Sequence, residues 1–165
     1  MPFLPPMISS PNVFFADAML GRLARWLRML GYDTAYDKAI TDQALIERAL
    51  VEGRWVLTRD RILGKRRLLR GRHTVVRSDH VMDQLRQLGQ ELNINLVVGS
   101  TTASRCPECN GILESIKRKD AAPNVPFFVA TQHAQFSRCM NCGRIYWPGT
   151  HWKNVQRQVA EVFQA

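Results

Sequence analysis

Four cysteines fall in two pairs, RCPECNG and RCMNCGR, with two residues inside each pair. That separation lets Cys106 and Cys109, and likewise Cys139 and Cys142, reach one metal ion from a single turn. Gly111 and Gly143 follow closely and are expected to ease the turns by adopting positive φ. Two such knuckles complete the all-sulfur tetrahedral shell of a closed structural zinc site, which leaves no open position for a reacting water. Disulfides would need an oxidising compartment, a redox pair would need only one Cys-x-x-Cys, and an iron–sulfur centre is a further option. Zinc is the expected cofactor. Arg105, Arg138 and Arg144 flank the ligands and are placed to offset the negative charge of four thiolates. The interval from Cys109 to Cys139 exceeds the usual roughly 15–20 residues, so a longer hairpin is expected between the knuckles.

A second set of groups carries oxygen. Asp17, Asp60 and Asp79 each follow an apolar run, and Asp42 lies at the start of a helix-like segment. Two carboxylates about 4 Å apart repel by roughly 4 kcal/mol at an effective dielectric near 20. A shared Mg²⁺ or Mn²⁺, which prefers oxygen ligands, would remove that penalty and can assist phosphodiester hydrolysis. Separate helix caps are the plainer explanation of the same residues. Asp33, Asp37 and Asp83 are expected in solvent, with Asp37 near enough in sequence to stand in for Asp42.

The elements that must position these groups alternate. Val13–Phe15 is strand-like, and Ala18–Leu30 places Leu20, Leu23, Leu27 and Leu30 on one helical face, with Gly31 as the stop. Tyr32–Tyr36 is a second strand, and Thr41 caps a helix running to about Glu52 before Gly53. Arg54–Thr58, a basic helical stretch, Thr74–Arg77, a helix over Val81–Leu92 and a last strand at Leu96–Val98 complete the pattern. Such alternation implies an α/β fold, a parallel sheet with helices on both faces. In such folds ligands bind at the carboxyl ends of the strands, where the aspartates fall. The expected organisation is a loose leader over 1–12, a sheet domain over 13–98 and a linker over 99–104. A zinc ribbon over 105–150 and a C-terminal helix over 151–165 packing back on the core would follow.

Lys and Arg outnumber Asp and Glu by 23 to 14, a net charge of +9. Such a surface favours polyanions. Arg61, Lys65, Arg66, Arg67, Arg70, Arg72 and Arg77 lie between Asp60 and Asp79 with no acid among them, and Arg22, Arg25 and Arg28 make a second basic stripe after Asp17. Arg22, Arg25, Lys65, Arg66 and Arg67 are the expected phosphate contacts. No apolar run approaches the roughly 20 residues of a membrane span, and the N-terminal segment is a poor signal peptide, so a cytoplasmic location is expected.

DAMLGRLARWLRMLGYDT, then LTRD, then the two knuckles closing on CGRIYWPGTHW together resemble the Mut-seven carboxy-terminal RNase family, over about Phe14 to Trp152. The resemblance implies a PIN-like nuclease fold with an attached zinc ribbon. It also implies metal-dependent endoribonuclease chemistry at Asp17 and Asp60, with Asp42 and Asp79 as further members of the cluster. Single-stranded RNA is the expected partner, with a ribonucleoprotein particle as a further one. The alternative is a non-catalytic RNA-binding adaptor that uses the same basic face. Tyr146, Trp147 and Trp152 can stack on bases or close the ribbon against the core, packing being favoured because a small ribbon has few other apolar groups.

Overall fold

Four short strands form one parallel sheet. The computed structural model describes residues 11–96 and 105–164. In it β1 (Val13–Ala16), β2 (Asp33–Tyr36), β3 (Trp55–Thr58) and β4 (His73–Val75) pair in the order β2-β1-β3-β4. Helices α1 (Gly21–Met29), α2 (Asp42–Val51), α3 (Arg61–Gly64) and α4 (Val81–Leu92) follow the strands in turn. Alternate strand residues serve opposite faces. Phe14, Ala16 and Leu57 enter a core with α1 and α4, whereas Phe15 and Val56 enter another with α2 and α3.

Local chemistry sets the boundaries. α1 begins three residues later than its apolar face predicts, because Asp17 holds the chain in a turn. The Met19 amide donates to Asp17 Oδ1 at 2.9 Å and the Leu20 amide to the Asp17 carbonyl at 3.0 Å. Gly31 ends the helix in the left-handed region, φ 94°. Thr41 caps α2 as expected, its hydroxyl accepting from the Ala44 amide. The basic stretch after Asp60 is only the single turn α3 and a 3₁₀ turn at Arg67–Leu69, since Leu63 and Leu69 alone are buried there.

The fourth strand stops at Val75 rather than Arg77 because a side chain takes over its hydrogen bonding. Buried Gln87 of α4 donates to the Val75 carbonyl at 2.9 Å and accepts from the Arg77 amide at 3.0 Å. Of the expected last strand, Leu96 is buried outside any strand. Residues 97 and 98, the linker 99–104 and the leader 1–10 lie outside the described residues.

The knuckles flank a second, antiparallel sheet of β5 (Leu113–Ile116), β6 (Phe136–Cys139) and β7 (Ile145–Tyr146), in that order. The long interval between the cysteine pairs is filled by α5 (Arg118–Ala121), a 3₁₀ turn and α6 (Phe127–Gln132), not by a lengthened hairpin. Ala121, Val129 and Phe136 form its small core, with Trp147 packed against them. α7 (Thr150–Gln164) then returns to the parallel sheet. Val159 joins the α1–α4 core, and Arg86 Nε donates to the Val162 carbonyl at 3.3 Å. No helix among the described residues is long and apolar enough to cross a membrane.

Gln87→Leu keeps the volume but strands two backbone groups, each worth about 1–3 kcal/mol when buried without a partner. Loss of about 2–6 kcal/mol is expected, measured as a lower urea midpoint at unchanged slope; an unchanged midpoint would show that water replaces the amide.

Candidate active site and metal centre

The strand order reverses direction between β1 and β3, and a crevice opens at such a switch point outside the carboxyl ends of the strands. Asp17 and Asp60 stand there. Asp17 is buried, 7% exposed, and three donors fix its carboxylate. Besides the Met19 amide on Oδ1, the Thr58 hydroxyl and the Arg59 amide both donate to Oδ2, the latter at 3.2 Å. Thr58 Oγ1 also accepts from the Asp60 amide at 2.9 Å. One threonine at the end of β3 therefore ties both aspartates to the sheet edge. Asp60 Oδ1 caps α3, accepting from the amides of Ile62 at 2.7 Å and Leu63 at 3.2 Å.

The other two aspartates are arranged differently. Asp42 is exposed at the first turn of α2, after β2. Asp79, also exposed, pairs with the guanidinium of Arg59, the residue whose amide holds Asp17. Among the described residues the aspartates do not form a group of three or more ligand oxygens close enough to share one ion; the cysteine tetrad is the group that does. A cation at the acidic edge would thus rest on one or two carboxylates and on water, as Mg²⁺ commonly does. Lys65, Arg66 and Arg67 are exposed just beyond Asp60, and Arg22 is exposed on α1. Arg25 is exposed but paired with Glu108 at 2.6 Å.

The cysteine sulfurs all lie within 4.8 Å of one another, with Cys106–Cys142 at 3.7 Å and Cys109–Cys139 at 3.4 Å. Zinc–sulfur bonds of about 2.3 Å in a tetrahedron put sulfurs about 3.8 Å apart, whereas a disulfide needs about 2.05 Å. The spacing suits zinc. The thiols also respond to one another's charge. Burial raises Cys109, yet hydrogen bonds from the Asn141 side chain and the Gly111 backbone bring it down to about 6. The Arg144 backbone lowers Cys142, but burial and its three sulfur neighbours push it up to about 12. A cation in the centre would lift that conflict. Burial and the neighbouring Cys106 raise the Tyr146 phenol, whose oxygen shares a hydrogen bond with Cys106 Sγ at 2.9 Å.

Positive φ falls on Asn110 (68°) and Gly143 (75°), the residues directly after the second cysteine of each pair, and not on Gly111. Gly111 serves close approach instead. A Cβ there would sit 2.7 Å from Cys139 Sγ and 3.3 Å from Cys109 Sγ.

The model of the Mut7-C RNAse domain matches residues 12–159, nearly the whole chain. The chain belongs to the Mut7-C RNase domain family. Membership points to a nuclease-like function with RNA as the substrate class. No curated protein and no solved structure matches the chain.

Within this Mut7-C RNase domain the first knuckle is bolted to the edge strand β2. Arg28 does not continue the exposed stripe of Arg22 and Arg25; it is buried. Its guanidinium donates to the carbonyls of Thr34 at 2.9 Å, Pro107 at 2.9 Å and Glu108 at 3.1 Å. Burial lowers its pKa, against the pull of Cys106 and Cys109. Asn110 accepts from the Thr34 amide at 3.0 Å and donates to Asp33 Oδ1 at 2.8 Å. Asp33 is accordingly only partly in solvent and is paired: Arg54 binds it at 2.6 Å and Arg105 at 3.6 Å. Asp37 and Asp83 are exposed as expected. The aromatic segment packs, with Trp152 buried against Met29 and Val155.

Arg28, Asn110, Thr58 and Arg59 were not apparent from spacing alone. The signals were present, however: an asparagine tolerates the left-handed turn better than most residues, and LTRD brackets Thr58 and Arg59 beside the aspartate. Hydrogen bonds to a charged group contribute about 1.5–3 kcal/mol, so Arg28→Met should lower stability by roughly 3 kcal/mol. It should also raise hydrogen exchange at the Thr34 amide; a Thr34 amide as protected as in the parent would show that the joint does not depend on Arg28.

Proposed function

We propose that this Mut7-C RNase domain is a metal-dependent endoribonuclease that cuts single-stranded RNA at the Asp17–Asp60 edge, and that zinc in the cysteine tetrad holds the ribbon. The observation that carries this reading is the Asp17–Thr58–Asp60 unit at the β1/β3 switch point of an RNase-family chain. Asp17 and Asp60 would hold the ion, and Asp42 and Asp79 complete the acidic edge. Bound there, Mg²⁺ or Mn²⁺ supplies Lewis acidity for phosphodiester hydrolysis. Thr58 and the amides of Met19 and Arg59 hold the Asp17 carboxylate in one orientation, which is the preorganisation that such a site requires. Lys65, Arg66 and Arg67 attract the polyanion toward that edge.

A second reading, a non-catalytic RNA-binding adaptor, draws on the capping role of Asp60 and the Arg59–Asp79 pair, which give two of the aspartates structural work. Cleavage separates the readings. Asp17→Asn or Asp60→Asn should reduce single-turnover RNA cleavage with Mn²⁺ at least about 100-fold (roughly 2.7 kcal/mol of barrier) while zinc content stays near the parent's. Asp17→Asn should also melt lower, because its amide nitrogen cannot accept the donors that hold the carboxylate, so the Asp60→Asn rate carries the comparison. Equal cleavage by either variant would sink the metal mechanism.

Removing zinc with a thiol-reactive mercurial should open the ribbon first. The expected sign is loss of hydrogen-exchange protection along β5 and β6 before any loss along β1 and β3. A ribbon that stays protected without metal would refute the structural assignment of zinc.

A further inference from the structure

Alongside α1, the parallel-sheet unit and the ribbon leave a groove of about 1150 Å³ between them. Arg22 and Trp26 of α1 form one wall, and Arg144, Trp147 and His151 stand opposite, from the second knuckle to the head of α7. Among the described residues Glu108 is the one carboxylate lining it, and it is already engaged by Arg25 at 2.6 Å and Arg144 at 3.9 Å. The lining therefore presents surplus positive charge. The space exceeds the roughly 300–1,000 Å³ of sites for small ligands.

Its aromatic content is the second observation. Trp26 and Trp147 are half-buried, each backed by a hydrophobic cluster while also lining the groove. Gly149 makes room for this: a Cβ there would meet Trp147 Nε1 at 3.1 Å, so the glycine lets the indole lie against the chain. Arginines and half-buried indoles lining one trough match a sugar–phosphate backbone with unpaired bases. A duplex would keep its bases stacked internally and out of reach. Arg22 belongs to the first turn of α1, the helix that follows Asp17 in the chain.

We infer that this groove is a binding track for single-stranded RNA, with Arg22 and Arg144 against phosphates and Trp26 and Trp147 stacked on bases. The inference deepens the nuclease reading and rests on it only for the fate of the bound strand. An acidic peptide would satisfy the arginines but gives no reason for two indoles.

The test uses the full zinc-loaded chain carrying Asp17→Asn and a short 5′-labelled oligouridylate, followed by fluorescence anisotropy across a salt series. Trp147→Ala and Trp26→Ala should each weaken binding about 5- to 150-fold, the range for loss of one stacked base. Trp→Phe at the same positions should recover most of it. Hydrogen-exchange protection along β5 and β6 should match the parent's in the alanine variants, which separates lost stacking from an unfolded ribbon. Arg22→Ala and Arg144→Ala should each flatten the log–log salt slope by about 0.7. Unchanged affinity in the four alanine variants, binding lost only with Lys65, Arg66 and Arg67 replaced, or an equal affinity for polyglutamate would overturn the track. Binding lost in the groove variants of a chain that never cleaves RNA would retain the track and remove the nuclease. Cleavage abolished by Asp17→Asn in a chain whose groove variants bind normally would do the reverse.

Discussion

A guanidinium withdrawn from water must recover its hydration from whatever surrounds it. Arg28 does so with three carbonyl oxygens drawn from two distant parts of the chain, one on β2 and two on the first knuckle. Its charge also faces Cys106 and Cys109, so the cation that costs solvation to bury sits where thiolate charge would gather. The sheet and the ribbon therefore share one electrostatic joint, and the course of the groove between them follows from how that joint is closed.

The acidic edge works on a different principle. Sulfur and oxygen donors suit different ions, and the chain keeps them apart: cysteines in the ribbon, aspartates at the edge of the parallel sheet. The edge is stiff because its hydrogen bonds run through backbone amides and one strand-end hydroxyl, with the carboxylate of Asp17 accepting from three donors. The same geometry delays the start of α1, so a feature of the site is visible as an error in helix length.

Regular elements were largely legible in the sequence because their signals are local. Apolar periodicity located α4 from Val81 to Leu92, and Gly31 and Gly53 both adopt the positive φ that ends a helix. The cysteine tetrad was equally plain. What escaped was decided by tertiary partners. Gln87 shortens β4 from another element. A step of three residues turns a helix back by about 60°, so the stripe that leaves Arg22 in solvent has rotated Arg28 under the ribbon. The four aspartates share an edge in the topology, yet Arg59 and the α3 amides engage two of them in ways that no spacing announces.

β2 ends the parallel sheet, and an open strand edge is a template for pairing with other chains. Here the amide and carbonyl of Thr34, which point away from β1, are buried and occupied by Asn110 and Arg28. Asn110 can do this only while the knuckle holds its left-handed turn beside Cys109. The cap on the edge is thus delivered by the first cysteine loop. Opening that loop would bare β2, and the chain's colloidal behaviour would then follow the state of its four cysteines.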